Sequence, residues 1–135
     1  MKRTTLALLA ALLIGACVHG TPFEPMAEGI PADAYRIEAL PVYAQWFAEV
    51  QACSGRSGDF SRLRFWAVPR SSWSGPDGGI YLGMEYQGNI YVPYDALGWP
   101  EIFKHEMLHA LGYGNDHPPF PFDTCVYTRV FDPSA

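Results

Sequence analysis

A chain of 135 residues has room for one domain, and its 14 acidic against 9 basic side chains set a net charge of −5. The basic residues are scattered and form no cluster, which excludes the usual electrostatic footprint for nucleic acid or for an anionic membrane surface.

At the amino terminus, Lys2 and Arg3 precede an apolar run from Leu6 to Ile14, and Gly15, Ala16 and Cys17 follow. A positive start, a short apolar stretch and small residues before a cleavage point make a secretory signal. The run is too short to span a bilayer as a permanent helix. Ile14-Gly15-Ala16-Cys17 resembles the lipobox of bacterial lipoproteins, with Ile14 where Leu is more usual. The resemblance implies cleavage after residue 16 and lipid on Cys17. With Val18 rather than Asp behind the Cys, it also implies an outer-membrane destination in the cell envelope. Cleavage would remove Lys2 and Arg3 and no acid, leaving 7 basic against 14 acidic residues and a net charge of −7. Membrane attachment would then rest on the lipid alone. Residues 17–36, proline-rich and without apolar periodicity, read as the lipidated Cys and a flexible tether, with His19 a solvated tether residue. The domain proper is expected over 37–135.

A first helix is predicted over Pro41–Cys53, with Pro41 suited to its first turn and Gly55 closing its end. Val42, Trp46, Phe47 and Val50 recur at helical spacing and should face the core. Arg62–Pro69 reads as a strand, and Ser71–Gly79 as a turn-rich loop. A strand from Ile80 to Tyr86 would set Ile80, Leu82, Met84 and Tyr86 on one face. It should form a hairpin with Asn89–Pro93, turning near Gly88-Asn89. A second helix is predicted from Pro100 to Gly112. Export places Cys53 and Cys125 where disulfides persist; two cysteines allow one pairing, and no C-x-x-C spacing supports metal ligation by them. The fold class is α+β: a first helix on a short, mostly antiparallel sheet, then the second helix and an irregular C-terminal segment.

The chemistry concentrates in the second helix, at His105-Glu106-Met107-Leu108-His109. Residues four apart share a helix face, so His105 and His109 can aim imidazoles at one metal ion. Glu106, about 100° round the helix, is near enough to act as general base toward a water held there. Phe103, Met107 and Ala110 lie on the opposite side and should pack on the sheet. A catalytic zinc takes three protein ligands and keeps one position open. For the third, His117 is favoured, because Gly112 and Gly114 let the chain reverse and Pro118-Pro119 stiffen it; Asp116 and Asp123 are the alternatives. Asp116 has a second candidate role, orienting a histidine. Tyr113 and Tyr127 are candidate hydrogen-bond donors to a developing oxyanion, and core packing is the plainer use of either. Phe120 and Phe122 suit either a pocket wall or core filling.

The H-E-x-x-H pattern resembles that of the zincins, the zinc metallopeptidases built on this motif. The resemblance is specific over residues 105–117 and architectural over about 37–104. It implies a bound Zn²⁺ and a peptide or protein substrate. In the metzincin branch a glycine stands at the position of Gly112 and a third His three residues beyond it, where this chain has Asn115. The methionine turn of that branch is also missing, since Met107 is the last Met. The gluzincin arrangement needs a downstream Glu, and none follows Glu106. The block HEMLHALGYGNDHP with a later Cys resembles short bacterial lipoproteins carrying a metalloprotease-like motif. Two functions remain open: a membrane-anchored zinc peptidase, or an envelope lipoprotein that binds zinc without catalysis and serves storage, structure or interaction.

Overall fold

A computed structural model describes residues 29–128. The signal and lipobox, Cys17, His19 and the first part of the tether lie outside the described residues. The remaining chain is a small α+β domain of three helices, a four-stranded mixed sheet and a two-stranded sheet. The strands are β1 (Tyr35–Ile37), β2 (Arg64–Val68), β3 (Trp73–Ser74), β4 (Ile80–Tyr81), β5 (Met84–Tyr86) and β6 (Asn89–Pro93). The helices are α1 (Pro41–Ser54), α2 (Pro100–Ala110) and α3 (Pro119–Cys125). In the main sheet the order is β1-β2-β6-β5, with β2 and β6 parallel and both outer pairs antiparallel.

Both long helices begin with Pro in the first turn, where its missing N–H leaves no extra orphan donor. α1 ends at Gly55, in the left-handed region at φ 75°, whose N–H donates to the Gln51 carbonyl. Trp46, Phe47 and Val50 are buried as the spacing predicts, and Tyr43 joins them. These side chains meet Phe65 of β2, Ile90 and Val92 of β6, and Phe103 and Met107 of α2 in the principal core. The other sheet face carries a second cluster, Val68, Tyr91 and Trp73, covered by the β3–β4 pair. β2 and β6 are thus buried on both faces, which explains their near-continuous apolar sequences.

Four expectations change. The tether ends earlier than residue 36: Ile30 and Ala34 pack on the second cluster, and β1 joins the sheet edge. The strand read over Ile80–Tyr86 is two strands in two sheets. β4 pairs with β3, and after a bend at Leu82-Gly83, β5 pairs with β6. The β5–β6 hairpin is present, but its turn is Gln87-Gly88, both at positive φ (50° and 81°), the signature of a two-residue type I′ turn. The C-terminal segment is more ordered than expected, forming α3 with a non-helical break at Phe120.

The Cys53–Cys125 disulfide forms, with 5.5 Å between Cα atoms, and ties the end of α1 to the end of α3. It spans 72 residues, including α2, and closing such a loop is worth about 4 kcal/mol in the chain-entropy model. A buried ion pair adds a second tie. Lys104 of α2 lies 2.5 Å from Glu49 of α1, the two side chains being 2% and 4% exposed. The Lys104 ammonium also donates to the Thr128 carbonyl.

Candidate metal centre

The site is built on α2, whose buried side holds it against α1 and the sheet while His105 and His109 face outward into a cleft. Gly112, at φ 87°, ends the helix in a Schellman motif: its N–H donates to the His109 carbonyl and the Tyr113 N–H to the Leu108 carbonyl. That reversal brings the Tyr113 carbonyl to 3.0 Å from Nδ1 of His109. A carbonyl only accepts, so Nδ1 carries the proton and Nε2 of His109 is left with its lone pair, the form a metal requires.

The chain then runs past Gly114 to His117, which sits at φ 43° immediately before Pro118. A non-glycine residue in the left-handed region is held there at a cost of roughly 1–3 kcal/mol, and such strain clusters at ligand clamps. Here it aims the imidazole at the other two. The Nε2 atoms of His105, His109 and His117 form a near-equilateral triangle with sides of 3.1, 3.1 and 3.2 Å.

The fit to a metal can be tested on this triangle. Zinc with tetrahedral imidazole ligands at about 2.0–2.1 Å separates the nitrogens by about 3.3 Å. Three converging ring nitrogens, one of them committed to its lone pair, repel unless a cation lies among them. Among the described residues these three histidines form the one group of His, Cys, Asp or Glu side chains so gathered. Asp116 and Asp123 are exposed and stand outside it; Asp116 instead lies beside Gly114.

Burial favours the neutral form of His105 and His109. Desolvation, reinforced by the neighbouring His109 and His117, pulls His105 down to about 4. Desolvation also lowers His109, although the Tyr113 carbonyl works against it. Glu106 is 6% exposed, and burial pushes its carboxyl up to about 8, with the nearby Glu85 adding to the rise and a hydrogen bond from the Glu85 backbone opposing it. A carboxyl so tuned holds or releases a proton near neutral pH, the range a general base needs.

Two further residues shape this site: Gly83, which nothing in the sequence marked, and Phe122, buried in the core as one of its two readings had it. A Cβ on Gly83 would stand 2.4 Å from Oε1 of Glu106, so the bend between β4 and β5 is glycine where the carboxylate lies. Phe122 is 4% exposed, and its ring centroid lies 4.8–4.9 Å from all three imidazoles. It is an apolar support common to the three rings rather than a substrate-pocket wall, while Phe120 points to solvent. The spacing of Phe122, five residues past His117, gave no sign of this.

The two tyrosines part company. Tyr113 donates its hydroxyl to the Ser54 carbonyl at 3.2 Å, and its ring lies 3.8 Å beneath the Arg56 guanidinium. Its phenol is engaged at Ser54, and Tyr113 is not among the residues lining the cleft. Tyr127 lines the cleft and is exposed.

The cleft itself has a volume of about 880 Å³ and contains His105, Glu106, His109 and His117 in one wall. The opposite wall is the 79–86 segment, including β5, the unpaired edge of the main sheet. An open space, three converging imidazole nitrogens and a buried carboxyl thus meet in one place. No protein-family model, no curated protein and no solved structure matches this chain.

Proposed function

We propose that the chain is a zinc-dependent peptidase, lipid-anchored at Cys17 in the bacterial cell envelope. The observation that carries the reading is the triangle of Nε2 atoms beside Glu106 in an open cleft. His105, His109 and His117 would hold the ion, with Phe122 fixing their rings. A bound zinc would act as a Lewis acid and lower the pKa of water. Glu106 takes the proton as water adds to the carbonyl carbon and returns it to the departing amine; burial suits its carboxyl to both tasks. Tyr127, which lines the cleft with Tyr81 and Tyr86, would donate toward a developing oxyanion. The β5 edge, which no further strand of the described residues pairs with, favours a polypeptide over a small molecule, because an extended chain can add along such an edge.

The test is Glu106→Gln, which keeps the shape and removes the base. Zinc content, by elemental analysis, should stay near one per chain, while hydrolysis of a mixed peptide library should fall by about 10²–10⁴. Equal cleavage by both proteins would overturn the role of Glu106. A wild type that holds zinc firmly and cleaves nothing would instead leave a metal-binding envelope protein.

A further inference from the structure

The imidazole of His109 is held from behind by a carbonyl, and that carbonyl is itself held. It belongs to Tyr113 and lies 3.0 Å from Nδ1 of His109, whose proton it accepts. The Schellman bonds set the course of the 111–113 turn, but Gly112 at its centre, at φ 87°, is the residue type with the widest backbone freedom. What grips this turn from outside therefore bears on where the Tyr113 carbonyl sits.

Arg56 grips it at both ends. Its Nη1 donates to the Leu111 carbonyl at 3.3 Å, and its guanidinium carbon lies 3.8 Å from the centre of the Tyr113 ring. One planar, permanently charged group can do both, donating in its plane and stacking through its face. Gly112 makes room for it, since a Cβ there would stand 3.3 Å from Nη1. The Tyr113 hydroxyl fastens the far end of the ring, donating to the Ser54 carbonyl at 3.2 Å. Phe122 meets the same ring edge to face, with centroids 6.2 Å apart. Arg56 reaches this place because Gly55, in the left-handed region, turns the chain at the end of α1.

An exposed arginine stacked on a tyrosine is by itself an ordinary surface contact. Here the stacked ring, the carbonyl that Arg56 caps and the carbonyl that fixes His109 belong to one three-residue turn. We propose that Arg56 and the Tyr113 side chain are positioning residues for the metal centre. They hold the Tyr113 carbonyl against Nδ1 of His109 and so keep Nε2 bare and aimed at the ion. The proposal rests on the reading of His105, His109 and His117 as a metal site, and it adds residues outside the motif on which that site depends. It gives Tyr113 a task through its backbone rather than its phenol.

Partners behind metal-bound histidines are typically worth about 10- to 100-fold in metal affinity, and groups that hold such a partner belong at the lower end. Zinc affinity is measured by competition with a chromophoric chelator. Arg56→Gln and Tyr113→Leu should each weaken it about tenfold. Arg56→Lys, which keeps the charge but not the planar fork, should restore little. On a His109→Ala background the same substitutions should change zinc affinity by less than about twofold, since the group they act through is gone. On His105→Ala the loss of about tenfold should remain. A second measurement needs no zinc. Histidine ring NMR of the metal-free protein at neutral pH should place the His109 proton on Nδ1 in wild type and shift it toward Nε2 in both variants. Unchanged zinc affinity with an unchanged His109 tautomer would overturn the proposal. Equal losses on the His109→Ala and His105→Ala backgrounds would also overturn it, because they mark a general loosening of the fold. A wild type that binds no zinc would remove the metal reading, and the tautomer shift would then decide the positioning role by itself.

Discussion

The two walls of the cleft are made of similar sequence and behave differently. The α2 wall carries apolar residues at helical spacing, and Phe103 and Met107 are fully buried beneath its histidines. The 79–86 wall carries apolar residues at strand spacing, yet Ile80 and Leu82 face solvent. The difference lies in what stands behind each. α2 is backed by α1, α3 and the sheet, so its apolar stripe has a partner along its whole length. The 79–86 segment changes sheets at Leu82-Gly83, and no layer covers its outer side among the described residues. The rigid wall holds the chemical groups in place, and the open wall is left to meet a ligand.

The largest expected effect lies behind the rigid wall. Lys104→Ala removes one partner of a buried pair and takes the ammonium away from beside the Glu49 carboxylate. It should destabilise the domain by about 3–5 kcal/mol in chemical denaturation. Replacing both, with Glu49→Leu and Lys104→Met, should recover most of that loss, because two apolar groups carry no unpaired charge. If the single substitution costs less than about 1 kcal/mol, the ion pair does not hold α2 to α1.

Next comes a pH effect in the metal-free protein. The carboxyl of Glu106 sits at about 8 in the fold, above the ordinary value of 4.5. A raised acid binds more protons when folded, so its contribution is fully present below about pH 4.5 and is lost as pH rises through 8. Gln carries no such proton. The stability of Glu106→Gln relative to wild type should therefore climb across that window, by a total on the order of 4 kcal/mol. Parallel pH–stability curves for the two metal-free proteins would contradict the burial argument. His105, lowered to about 4, has the opposite sign: the fold loses stability as pH falls from about 6.5 toward 4, equally in both proteins.

The rigid wall was largely legible in the sequence. Prolines in first turns and glycines past the ends bounded α1 and α2 to within a residue or two, and the i, i+4 spacing put His105 and His109 on one face. His117 followed from the stiffness of Pro118-Pro119, and the Cys53–Cys125 pair from cysteine count and export. What the sequence hid is tertiary. Period-two alternation over Ile80–Tyr86 reads as one strand, because nothing local shows that its halves pair with different partners. Lys104 looks like a solvated residue until α1 presents Glu49. Tyr113 is close to the motif in sequence, but the Schellman turn that gives His109 its carbonyl swings the phenol toward Ser54. Phe122 declares its place beneath the imidazoles only when α3 folds back.

A smaller effect tests how the two walls touch. Gly83 is the point of closest approach, where a Cβ would press on Oε1 of Glu106 and on Cγ2 of Ile102. Gly83→Ala should move the carboxylate rather than unfold the domain, since the clash falls mainly on side-chain ends. Zinc content should hold, and peptide hydrolysis should drop about 10²-fold, the cost of misplacing a catalytic group by about 1 Å. Unchanged turnover in this variant would show that the base has room that the geometry denies it.

The smallest effect belongs to the open wall, and it is the sharpest comparison. Met107→Ala removes a fully buried side chain of α2 and should cost about 2–5 kcal/mol. Leu82→Ser changes an apolar side chain of similar size that is 55% exposed and has no layer over it, so unfolding free energy should move by less than about 0.5 kcal/mol. The pair sets a buried apolar side chain against an exposed one on the two walls of the same cleft. Leu82 nevertheless contributes to the cleft, so the same Ser substitution should show in peptide affinity what it does not show in stability. A loss of several kcal/mol from Leu82→Ser would mean that a further part of the chain packs over this wall, and the wall would then be interior rather than a surface kept open for a ligand.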